Sequence, residues 1–190
     1  MEEHRLTEPF SKEKICRYKA GDTVYITGTI YTARDAAHKK LAELMFAGEK
    51  LPFDIENAII YYTGPTPAKH GKVIGSAGPT TSYRMDVYTP QFLEKGLLMT
   101  IGKGYRSEEV KKAFYKARAV YAVTIGGAAA LISQKIKAAE IIAFDELGTE
   151  AVRKLYVEDF PVTVVYDTYG GDLYVNSKIA YLESMKNQIK

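Results

Sequence analysis

Between Thr23 and Phe144 the chain switches repeatedly between two periods: short β-branched or apolar runs, and segments whose apolar residues recur at helical spacing. VYITGTI, ending at Ile30, reads as a strand. A helix follows at once, with Asp35 as its expected cap, Ala37, Leu41, Leu44 and Met45 on one face, and Gly48 where a left-handed residue can end it. Further strands are expected at Ala58–Thr63, Leu97–Ile101 and Val120–Ile125. Thr80–Tyr88 can be helical, Pro90 restarts a turn that Gly96 ends, and Ser107 caps the helix that begins with Glu108 and Glu109. Strands then come in succession at Glu140–Phe144, Val152–Val157 and Val162–Asp167. Alternation followed by consecutive strands predicts an α/β fold, a single domain over 1–190 built on a mixed β-sheet. It has a polar N-terminal arm over about 1–20 and a C-terminal helix over about 176–190 that sets Ile179, Leu182, Met185 and Ile189 near one face.

Several function classes recede on composition. No apolar run approaches the ~18 residues of a membrane span, and the N-terminus is charged from Glu2, so no signal peptide and a cytoplasmic location are expected. The single Cys16 excludes an internal disulfide and any all-cysteine metal or cluster site built from this chain alone, so no metal ligands are assigned. His4, His38 and His70 are far apart, two of them in segments expected to be mobile. The net charge of +3 and 15 tyrosines leave an RNA-binding reading open, but the lysines are scattered and many tyrosines fall in expected strands; no nucleic-acid or membrane partner is expected.

Polar residues gather where an α/β fold presents them, at strand ends leading into helices. In TARDAAHKKL, Arg34 and His38 are four apart and share a helix face, so an anion on the guanidinium could meet the imidazole; a surface ion pair of Arg34 with Asp35 and a solvated His38 would leave the same trace. In SAGPTTSYRMD, Thr80, Thr81, Ser82 and Tyr83 stand at an expected helix start with Arg84 beside them. That is a carboxylate or phosphate cradle with a bidentate fork, or a plain cap with a surface arginine. In GKGYR, Lys103 sits between two glycines directly after a strand, where backbone can approach a ligand; it also passes for a turn, and GxxxxGK[ST] is absent. Gly126-Gly127 could bind an anion or simply allow tight packing. Two arginines, a lysine, a histidine and hydroxyls would suit a dicarboxylic acid. The long Gly64–Pro79 connection, containing GPTPAKHGK, has the length of a functional loop.

In order along the chain, GTIYTARDAAHKKL, SAGPTTSYRMD, GKGYRS, IGGAAAL and ELGTEAVRKLYVEDFPV resemble the β subunit, or C-terminal domain, of class I fumarate hydratases over about Gly21 to Asp172. The family is related to the L-tartrate dehydratase β subunit. The resemblance implies a swivelling β/β/α fold and a hydro-lyase active only with a partner α subunit, which carries a 4Fe-4S cluster that this chain does not bind. It implies a heterodimer, or a dimer of heterodimers, acting on fumarate and malate. It also implies that Arg34 and Arg84 grip substrate carboxylates, that Thr80, Thr81, Ser82 and Tyr83 line the pocket, and that Lys103 stabilises the charge formed when a proton leaves carbon next to a carboxylate. His38 and Thr80 are the implied proton-transfer groups, with the ordinary imidazole pKa near 6.5 suiting His38. L-Tartrate dehydratase shares RD-x-x-H, GPTTS and GKG and is the alternative, mesaconase-type activity another, and a non-catalytic anion-binding module a reading of a different class.

Overall fold

The structure is a computed structural model and describes residues 1–124 and 129–188. Its strands are β1 (Glu3–Thr7), β2 (Thr23–Thr32), β3 (Ile59–Tyr61), β4 (Met99–Gly102), β5 (Val120–Val123), β6 (Ile136–Ala143) and β7 (Val152–Tyr166). They form one sheet in the order β1-β2-β3-β4-β5-β7-β6, and β2 pairs in addition with β7. That pairing closes β2, β3, β4, β5 and β7 into a barrel-like ring, with β1 and β6 hydrogen-bonded outside the ring to β2 and β7. Neighbours from β1 to β5 run parallel, while β7 is antiparallel to β2, β5 and β6. The sheet is mixed, as expected.

The helices are α1 (Lys12–Ile15), α2 (Asp35–Phe46), α3 (Thr89–Glu94), α4 (Glu108–Ala117), α5 (Ala129–Ser133) and α6 (Leu173–Gln188). Alternation along the strands sorts side chains between two cores. Ile59, Tyr61, Met99, Ile101, Val120 and Ala122 join Ile26 and Ile30 in one. Ile60, Tyr62 and Tyr121 pack in the other against Ala37 and Leu41 of α2, Phe92 of α3 and Phe114 of α4. The first fills the ring; the second lies between ring and helices.

Some expectations changed on folding. The N-terminal arm is not loose: Glu3–Thr7 pairs with Thr23–Thr27, and His4 lies 3.1 Å from the Asp22 carboxylate with its ring against Tyr18. The strands expected at Val152–Val157 and Val162–Asp167 are one strand of 15 residues. It passes through Pro161 because the edge away from β2 has no sheet partner between Val157, opposite β6, and Thr163, opposite β5, so a missing N–H there costs no ladder bond. Ser107 caps α4 as expected, accepting from Val110 N at 3.3 Å, and Gly48 takes the left-handed conformation after α2. Gly126-Gly127 and Ile189 lie outside the described residues. The rest of α6 is exposed from Asn176 to Lys186, so the face of Ile179, Leu182 and Met185 covers no core of this chain. No helix among the described residues is long and apolar enough to cross a membrane.

Candidate active site

Two of the expected groups and the start of the long loop emerge at the same ends of three adjacent parallel strands. Arg34 follows β2, the Thr63–Gly64 turn follows β3, and Lys103 follows β4, so all lie at the carboxyl edge where open α/β sheets present ligand-binding groups. The Gly64–Pro79 loop returns to this edge, where Thr63 and Pro79 form an antiparallel bridge. Thr80 N–H then donates to the Tyr62 carbonyl at 2.7 Å, and Ser82 N–H to the Lys103 carbonyl at 2.9 Å. GPTT and GKG, 21 residues apart in sequence, are thereby stitched together, with Thr81 bridged directly to Lys103.

The expected helix over Thr80–Tyr88 is only a short 3-10 turn, Ser82–Met85, and it has no side-chain cap. The hydroxyl cluster divides its labour accordingly. Thr80 is half-buried, while Thr81, Tyr83 and Arg84 are exposed. Ser82 is fully buried; its Oγ accepts from Lys103 N–H at 3.1 Å and lies 3.0 Å from the Tyr121 hydroxyl, whose own proton goes to the Gly104 carbonyl. Its hydroxyl therefore holds the turn onto the end of β4. Gly102 has to be glycine for this contact, because an added Cβ would stand 2.0 Å from Ser82 Oγ. Lys103 projects outward and is exposed.

Arg34 is more enclosed than Arg84, with 21% of its side chain accessible against 58%. Its Nη2 pairs with Glu150 Oε1 at 3.1 Å, and its Nε lies 3.6 Å from Asp35 Oδ1. Arg84 Nη1 is 4.0 Å from the other Asp35 oxygen, so the two arginines flank one carboxylate. Arg34 Nε and Asp35 Oδ1 are both buried without a hydrogen-bond partner. Asp35 does not cap α2 as expected. Arg34 is the N-cap residue and makes no side-chain cap bond; the Glu150 carboxylate, far away in sequence, accepts from Ala36 N–H at 3.1 Å instead.

His38 shares the Arg34 turn but faces inward, 1% exposed, with its ring against Tyr62, Tyr88 and Phe92. Nδ1 lies 2.9 Å from the Arg34 carbonyl. A carbonyl only accepts, so Nδ1 carries the proton. Burial pulls the imidazole down to about 4 against the help of that hydrogen bond, so the side chain is neutral near pH 7 rather than poised at 6.5. Tyr62 lies between it and the loop: its carbonyl binds Thr80, and its ring meets His38 edge-on.

Sequence reasoning missed a further pair beneath these groups. Arg106 of GKGYR is fully buried as a side chain and pairs with Asp86 of RMD, Nε to Oδ1 at 2.5 Å. Its Nη2 donates to Thr89 Oγ1 at 2.6 Å, and the guanidinium carbon lies 5.1 to 5.5 Å from the ring centres of Tyr121, Tyr62 and Phe114. The other Asp86 oxygen accepts from Ser107 N–H. An arginine and an aspartate in two short polar motifs were the only trace of this pair in the sequence.

The edge thus carries three cations, half-buried and exposed hydroxyls, and backbone held open by glycine, which suits a small anion with more than one carboxylate. It does not suit an iron–sulfur cluster: the chain has one cysteine, and among the described residues no group of three or more His, Cys, Asp or Glu could hold a metal.

Residues 2–177 match the family model described as the fumarase C-terminus. The chain is 42% identical to fumarate hydratase 2 of Leishmania major over 89% of its own length, but that alignment covers only 30% of the relative. It is 41% identical to a putative L(+)-tartrate dehydratase subunit beta of Methanocaldococcus jannaschii, covering 89% of this chain and 91% of the relative. To the L(+)-tartrate dehydratase subunit beta of Escherichia coli it is 32% identical, covering 94% and 90%. The chain thus spans less than a third of the fumarate hydratases it matches and nearly the whole of the tartrate dehydratase β subunits, and with the family model covering almost all of it, the chain belongs to the fumarase C-terminus family.

Proposed function

We propose that this chain is the β subunit of a two-subunit hydro-lyase that reversibly hydrates fumarate to (S)-malate. The observation that carries the reading is the convergence of Arg34, Thr80, Thr81, Arg84 and Lys103 at the carboxyl ends of adjacent parallel strands. The whole chain acts as one domain, of the swivelling β/β/α type that the resemblance implies. Its partner is an α subunit carrying the 4Fe-4S cluster, whose open iron supplies Lewis-acid chemistry when present.

Arg34 and Arg84 each bind a substrate carboxylate, with planar guanidinium matched to planar anion. Thr80, Thr81 and Tyr83 line the pocket between them, and Ser82 supports it from below through Lys103 N–H. Loss of a proton from carbon next to a carboxylate builds negative charge on that carboxylate, and the Lys103 ammonium neutralises it. Thr80 and His38 are assigned to proton transfer. Thr80 is the group at the pocket; His38, a neutral imidazole whose Nδ1–H is held by the Arg34 carbonyl, would take a proton at Nε2.

L-Tartrate dehydration is the second reading, favoured by one observation: the β subunits of that name match this chain nearly end to end. Anaerobic isolation of the chain with whatever co-purifies, followed by iron analysis and side-by-side rates on fumarate and L-tartrate, separates the readings. Iron with fumarate turnover supports the first, and iron with tartrate turnover the second. An iron-free isolate inactive on both would overturn both and leave a non-catalytic anion-binding module.

A further inference from the structure

Arg34 is held from a part of the chain that no sequence pattern linked to it. Glu150 closes the 3-10 segment Asp145–Glu150 and uses its two oxygens on two targets: Oε1 on Arg34 Nη2 and Oε2 on Ala36 N–H, both at 3.1 Å. One carboxylate therefore fixes the guanidinium and the start of the helix that carries it. The segment is itself braced. Arg153 of β7 donates to the carbonyls of Gly148, Thr149 and Ala151 at 2.8 to 3.2 Å, and Lys40 of α2 pairs with Glu146. Gly148 has φ 58° and ψ −110°, a conformation that side-chain-bearing residues avoid. Gly64 also comes close to the guanidinium: a Cβ there would lie 2.9 Å from Arg34 Nη1 and 3.1 Å from the Thr149 carbonyl. The guanidinium thus pairs with Glu150 through Nη2 and has the Gly64 backbone close to Nη1.

We propose that Glu150 is a positioning residue for substrate binding, setting the orientation of the Arg34 guanidinium through its charge as well as capping α2. The proposal rests on the reading of Arg34 as a carboxylate ligand. ELGTEAVR then has a physical meaning: Glu150 aims Arg34, while Gly148 and Arg153 fix the loop that carries Glu150.

Glu150→Gln separates the two roles, because the amide oxygen still caps Ala36 while the charge opposite Arg34 is gone. In the co-purified complex, Glu150→Gln is expected to keep the melting temperature and raise KM on the order of tenfold, with kcat changed far less, since a misaimed guanidinium loses binding common to ground and transition state. In an Arg34→Ala background the same change should have no further effect. Wild-type or lowered KM in Glu150→Gln would overturn the proposal, because a mere cap is restored by glutamine. A second measurement needs no turnover: the Arg34 Nε–H resonance of the full chain should be resolved and protected in the wild type and motionally averaged in Glu150→Gln. Identical spectra would also overturn the proposal. Should the wild-type complex convert neither fumarate nor L-tartrate, the functional reading fails and the resonance still decides the role of Glu150.

Discussion

Asp86 and Arg106 form an ion pair sealed inside the protein, with 10% and 0% of their side chains accessible, and they join the segment bearing Arg84 to the loop bearing Lys103. Asp86 stands two residues after Arg84, and Arg106 three after Lys103. The desolvated guanidinium is compensated by the carboxylate, by Thr89 and by three aromatic faces, so Arg106 remains charged. The expected effect of Asp86→Ala is a loss of about 3–5 kcal/mol, because it strands a buried charge. Asp86→Ala combined with Arg106→Met should cost less than Asp86→Ala alone. Urea melts of Asp86→Ala, Arg106→Met and the double variant check this, and a double-variant loss equal to the sum of the two single losses would show that the pair is not coupled.

Gly102 faces the buried Ser82 hydroxyl so closely that any side chain displaces it. Gly102→Ala should destabilise the chain by about 1–3 kcal/mol, the usual range for overpacking. Part of that loss should return in a Ser82→Ala background, where the clashing oxygen is absent. Thermal melts give both numbers, and purely additive losses would refute the contact.

His38 makes stability depend on acid. Its folded pKa is depressed to about 4, below its ordinary 6.5, so between those values the unfolded chain binds more protons than the folded one. Its contribution is whole above about pH 6.5 and is lost as pH falls toward 4, at up to about 1.4 kcal/mol per pH unit. His38→Gln should flatten this slope in denaturant titrations across the window. The neutral imidazole also predicts that kcat/KM of the assembled enzyme shows no ionisation near 6.5 that His38→Gln abolishes.

Much of this arrangement was legible in the sequence because strand and helix periods are local. The β2–α2 unit, the Gly48 stop and the Ser107 cap each depend on neighbours within a few residues. β1 escaped notice because in EHRLT only Leu6 is fully buried, so the strand has no apolar alternation to read. β7 looked like two strands because EDFP, with Asp159 at φ 46° and Pro161 without an N–H, has the chemistry of a break. Pairing with β2 on one side carries the strand through. Arg34, Arg84 and Lys103 were visible as motif residues. Their supports were not: Glu150 is 114 residues from Ala36, and Asp86 is 20 from Arg106, so only the folded sheet brings them together. His38 does stand one turn after Arg34, but its burial among three aromatic rings lay beyond what a four-residue spacing can reveal.

Whether Lys103 stabilises charge on a bound dicarboxylate is decided by steady-state kinetics of the co-purified complex, wild type against Lys103→Ala, on fumarate and on L-tartrate. Lys103 is exposed in this chain and its side chain supports no core, so the chain's own folding should be unchanged. The expected result is a fall in kcat on the order of a hundredfold or more on the substrate the wild type converts. Wild-type kcat in a correctly assembled Lys103→Ala complex would contradict the assignment of this strand edge as the active site.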